Sequence, residues 1–158
     1  MDEVVLSVSL AHVWNSVREV RERIGRLLAN ECVELRVAAV MAGSELLENA
    51  VKYGESVQKA PEISFNFSLA DYAMQITTVN GCTDSANARQ LEAIVRRIAE
   101  SDDPNRLYLS AIEAMTKHLE AGPKSGLGLY RIAAEGGFTL TGTHHDEVVQ
   151  MVARRSIR

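Results

Sequence analysis

Leu35-Arg-Val-Ala-Ala-Val-Met-Ala-Gly-Ser-Glu-Leu-Leu-Glu-Asn-Ala-Val-Lys-Tyr-Gly54 decides how this chain folds. The stretch is apolar nearly all round at helical spacing, which suits a helix packed between other layers. It predicts a helix from about Glu34 to Tyr53, stopped by Gly54 in a left-handed conformation. Upstream, Val13, Val17, Val20, Ile24, Leu27 and Leu28 recur at three- and four-residue steps. That is the apolar face of an amphipathic helix from about Ala11 to Asn30. The β-branched, partly alternating run Val4 to Leu10 precedes it as a first strand.

Downstream of Gly54 the period switches to two. Ile63, Phe65, Phe67 and Leu69 alternate with polar residues, and Met74, Ile76 and Thr78 repeat the pattern. Two antiparallel strands in a hairpin result, the second ending at Asn80-Gly81. Helical patterns return at about Ser85 to Glu100 and Arg106 to Glu120. The glycine-bearing segment Gly122 to Leu129 leads into a short helix ending near Gly136. Two last strands, about Phe138 to Thr143 and Glu147 to Ala153, flank a polar turn at His144-His145-Asp146. Helices and strands segregate and the strand pairs have short connections. The expected fold is α+β: a two-layer sandwich whose mostly antiparallel sheet is covered by helices on one face. The other face would be more polar, or would meet a partner.

A length of 158 residues suits one domain spanning residues 1–158. With 46% hydrophobic and 24% charged residues the composition is that of a globular protein, not a disordered chain. Only 5% of residues are aromatic, so few rings are available to stack on bases. Seventeen Lys and Arg against twenty-one Asp and Glu leave a net charge of -4, which argues against a nucleic-acid binder. Cys32 and Cys82 lie far apart and form no disulfide framework, so a reduced, cytoplasmic protein is expected. The acidic N-terminus is not a signal peptide, and no apolar run approaches the ~20 residues that span a membrane.

Two stretches could carry chemistry. Glu45 and Asn49 sit four apart and project from one helical face. A carboxylate can take a proton from an attacking hydroxyl, and an amide oxygen can ligate Mg²⁺. Glu45 on a solvated edge, with Asn49 capping a backbone group, accounts for the same spacing. The second stretch is Lys124-Ser125-Gly126-Leu127-Gly128-Leu129, directly before a helix. Its glycines allow close backbone approach to an anion, helix amides point at it, and Lys124 adds charge. An ordinary loop with Ser125 as N-cap fits this piece equally.

Together the stretches resemble the GHKL-type ATP-binding domain, nearest to the small anti-sigma-factor serine kinases and related bacterial partner-switching regulators. The similarity runs from about residue 10 to 155. ELLENAVKYG is similar to that family's N box and KSGLGL to its last glycine box. The resemblance implies a Bergerat-type sandwich that binds ATP and Mg²⁺, with Glu45 as general base and Asn49 as metal ligand. It assigns Lys124, Ser125, Gly126, Leu127 and Gly128 to the triphosphate. It also implies a protein partner, either an anti-anti-sigma-like or a sigma-like regulator, and a homodimer built through the first strand and helix.

One box departs from the family. An Asp-x-Gly-x-Gly sequence, whose aspartate accepts from the adenine amino group, is replaced by Thr78-Val-Asn-Gly-Cys-Thr-Asp84. Asn80 takes the aspartate's place, and an uncharged acceptor makes a bond about half as strong. Asp84 reads as the N-cap of the next helix. The altered middle resembles a divergent branch that includes the SiaB-like regulators. Two functions follow: a Mg-ATP-dependent serine/threonine kinase of the anti-sigma type, or a nucleotide-independent binding module on the same frame. Lesser expectations are an inert Cys82, a solvated His118, Trp14 and Leu10 in the core or at a partner interface, and a solvated tail at Arg154, Arg155 and Arg158. His144, His145 and Asp146 are too close in sequence to converge on one metal ion.

Overall fold

In the computed structural model, residues 3–117 and 127–157 are described. In chain order they form β1 (Val4–Leu10), α1 (Trp14–Leu27), α2 (Val33–Tyr53), β2 (Ile63–Ala70), β3 (Ala73–Gly81), α3 (Ser85–Glu100), α4 (Pro104–Lys117), α5 (Leu127–Ala134), β4 (Thr139–His145) and β5 (Val148–Ser156). All strand pairs are antiparallel, in the order β1-β2-β3-β5-β4. This is the α+β sandwich expected from the alternation.

Period two decides which side chains meet the helices. Ile63, Phe65, Phe67 and Leu69 on β2, and Met74 and Ile76 on β3, are wholly buried. Their neighbours Ser64, Asn66, Ser68, Gln75 and Thr77 face the other way and remain part-exposed. α2 is the helix that the sheet and α1 close on. Its inner face is built from Ala39, Ala42, Gly43, Leu46 and Leu47. A Cβ at Gly43 would lie 2.9 Å from Ile24 Cδ1 and 3.3 Å from Phe65 Cζ, so the missing side chain sets the layer spacing.

Four expectations need correction. Gly54 ends α2 at φ -76°, not in the left-handed region. Glycine is needed there for closeness: a Cβ would run into the Ala50 carbonyl and come within 3.0 Å of Asn80 Nδ2. The last hairpin turns at Asp146-Glu147, both at positive φ, while His144 and His145 belong to β4. Trp14, the first residue of α1, is 59% exposed and not in the core, whereas Leu10 is buried. Arg154 and Arg155 are strand residues, and Arg155 donates to the Gly136 carbonyl (3.0 Å) and to Glu34 (2.8 Å). His118 and Arg158 lie outside the described residues.

Candidate functional site

Thr78 and Asn80 occupy inward positions of β3, so the strand's period aims both at α2. Asn49 comes down from α2 to meet them. Together with Tyr53, Cys82 and Leu91 they line a narrow recess between helix and sheet, with about 10 Å³ of free space, room for roughly one water. Within it, Asn49 Nδ2 and Thr78 Oγ1 are buried without a hydrogen-bond partner among the described residues. A buried polar group without a partner costs ~1–3 kcal/mol, so the two atoms mark a place that is chemically incomplete. Asn80 is 5% exposed and its Nδ2 donates to the Gly81 carbonyl at 3.0 Å. That donor is therefore turned to the backbone. A carboxylate at this position would face the carbonyl instead.

Glu45 stands one turn before Asn49 but opens elsewhere. It accepts from Arg131 Nη1 at 3.2 Å, and Arg131 Nε donates to Glu135 at 2.7 Å. Gly128, on the first turn of α5, presses against this carboxylate: a Cβ there would collide with Glu45 Oε2. α2 and α5 thus bring together Glu45 and Gly128, and α2 and β3 bring together Asn49 and Asn80. Glu45 lines an outer groove of about 440 Å³ beside α1, whereas Asn49 lines the inner recess. At 100° per residue the remaining α2 positions of groove and recess fall on opposite sides of the helix, with Glu45 at the seam. Leu127 begins α5. Lys124, Ser125 and Gly126 lie outside the described residues.

Burial is the largest influence on Glu45 and pushes its carboxyl above the usual 4.5. Glu48 pushes the same way, and Arg131 only partly offsets them. Folded protein therefore holds this proton more tightly than unfolded chain, and stability falls as pH rises from 4.5 through the raised value. Glu45→Gln should match wild type in denaturant melts at pH 4 and be modestly more stable at pH 7. A wild type that gains on the variant with rising pH would show that Arg131 outweighs burial.

The neighbouring residues have plainer work. Asp84 Oδ1 caps α3 by accepting from the amides of Ala86 (2.9 Å) and Asn87 (3.2 Å). Cys82 is buried, which pushes its thiol up and away from reactivity. His144 Nε2 lies 3.2 Å from the Cys82 carbonyl, and the adjacent strand residue His145 points outward to Asp146. Arg131 and Thr78 belong to the site, and no sequence motif marks either. Arg131 pairs with a residue 86 positions away, for which no local pattern exists. Thr78 was legible only as one more inward residue of a strand.

No protein-family model and no curated protein matches the chain. Solved structures do. A chain of the SiaB–SiaC complex from Pseudomonas aeruginosa aligns with a TM-score of 0.66 at 15% identity, over 94% of this chain and 88% of that one. The RsbU and RsbW domains of Rv1364c from Mycobacterium tuberculosis align with a TM-score of 0.53 at 17% identity, over 98% of this chain and 34% of that one. At such identities the likeness is one of fold, and the fold is SiaB/RsbW-like.

Proposed function

We propose that this chain is a cytoplasmic bacterial regulator of the anti-sigma-factor, serine/threonine-kinase type. It binds Mg-ATP and phosphorylates or sequesters a protein partner in a partner-switching pathway. The observation that carries this reading is the pair of stranded polar atoms, Asn49 Nδ2 and Thr78 Oγ1, beside Asn80 in a recess between helix and sheet. Such atoms suit a ligand with its own donors and acceptors. In that reading Asn49 would offer its amide oxygen to the metal and the stranded Nδ2 to a phosphate oxygen, and Asn80 and Thr78 would offer polar contacts to the base. Bound Mg-ATP would supply the phosphoryl group, its charge neutralised by the metal. Glu45, with its raised proton affinity, would take the proton from the acceptor hydroxyl.

Two observations favour the second reading, a nucleotide-independent binding module. The recess has room for about one water, so a base enters only if α3, which contributes Leu91, withdraws. Glu45 and Asn49 also line different cavities. Mg-ATP titration by calorimetry and thermal shift separates the two. Nucleotide at a hundred times its Kd should stabilise the fold by about 2.7 kcal/mol, raising Tm by about 5–11 °C. Asn49→Ala should remove the dependence of that shift on Mg²⁺. No shift at millimolar Mg-ATP leaves the binding module as the function.

A further inference from the structure

We propose that the groove between α1, α2 and α5 seats an acidic, amphipathic segment of a partner protein. This rests on the reading of the chain as a partner-controlling regulator, and it does not require ATP. The groove measures about 440 Å³, its floor is Gly25, Val37, Val40 and Met41, and Arg21 and Arg36 stand beside it. That is a ligand-sized concavity with an apolar base and charged sides.

Gly25 is the first indication. It sits in α1, where glycine is a poor helix former, and a Cβ added there would meet nothing of the described residues within 4 Å. No packing asks for a glycine at this point, and its effect is to keep the groove open. Charge is the second. On α1, Arg18 is paired with Glu22 and Arg23 with Glu19. Arg21, which faces the groove, has no ion pair among the described residues. Among the described residues Arg36 donates only to the Ala29 carbonyl, at 3.2 Å. Arg131, by contrast, is held by Glu45 and Glu135. Two uncompensated guanidinium groups therefore flank an apolar floor on a chain whose net charge is -4. Val37 lines the same groove and is 60% exposed. An occupant with carboxylates on its flanks and apolar side chains at its centre complements all three features. Glu45 and Glu48 line the same groove and repel a carboxylate, so the acidic residues of the occupant must reach Arg21 and Arg36 clear of them.

The test is a titration of the full chain, followed by amide chemical shifts, with a synthetic fifteen-residue amphipathic peptide rich in Glu and Leu. Its Glu-to-Gln and Glu-to-Lys versions and inorganic phosphate are parallel arms. The acidic peptide should shift α1 and α2 resonances around Gly25 and Val37 and bind at least tenfold tighter than the Gln version. Gly25→Leu fills the groove with a better helix former, so it should keep or raise Tm while weakening the peptide tenfold or more. Arg21→Glu with Arg36→Glu should do the same and favour the Lys peptide. Equal binding of acidic and neutral peptides, no binding at all, or binding untouched by Gly25→Leu would overturn the proposal. So would phosphate shifting the same resonances at the same concentration, which would make this a small-anion site. A concentration-dependent dimer that Gly25→Leu abolishes would overturn it in favour of a second copy of this chain. Mg-ATP titrated into the same sample reports on the recess separately, so loss of one reading leaves the other standing.

Discussion

Glu45→Gln is expected to lower γ-phosphate transfer by about 10²–10⁴-fold while leaving Mg-ATP affinity within about twofold. The range is that of a positioned general base, roughly 3–5 kcal/mol of transition-state stabilisation. Glutamine keeps the shape and an acceptor for Arg131 Nη1, so the change isolates the proton-accepting function. The outer groove gives the prediction its geometry, since Glu45 opens there and an acceptor hydroxyl would reach it from that side. Transfer to the protein partner should be measured at saturating nucleotide, beside Tm. Equal rates in wild type and variant would remove Glu45 from the chemistry and return the chain to the binding-module reading.

Phe65→Ala should cost about 3–5 kcal/mol of stability and lower Tm by about 6–20 °C. The ring is wholly buried on β2, and it fills the space left by the absent side chain of Gly43. Removing it opens a cavity where α2 and the sheet meet, beside Ile24 of α1. Denaturant melts measure the loss directly. A cost below about 1 kcal/mol would mean that α2 settles onto the sheet and closes the gap, so the layer spacing is not fixed by this contact.

The fold was legible because the signals that specify it are periodic. A two-residue repeat over Ile63, Phe65, Phe67 and Leu69 and a three-to-four-residue repeat over Val13, Val17, Val20 and Ile24 left little choice of element or face. Boundaries moved by a few residues: α4 starts at Pro104 rather than Arg106, and β5 runs on to Ser156. The site was legible only in part. Glu45 and Asn49 are a helical turn apart in any reading. That they face different cavities depends on how α2 is rotated between α1 and the sheet, and sequence spacing carries no record of that rotation. Arg21, Gly25 and Arg36 are unremarkable helix residues until α1 and α2 lie side by side.

Both tight hairpins place two L-residues at positive φ: Asp71 and Tyr72 at 50° and 59°, Asp146 and Glu147 at 50° and 62°. Two-residue loops of this hand match the twist of the flanking strands but normally employ glycine or asparagine. Anyone wishing to attach a reporter to this molecule should therefore treat the two tips differently from ordinary loops. One extra residue in either tip slides a strand by one position and turns its oily side to water.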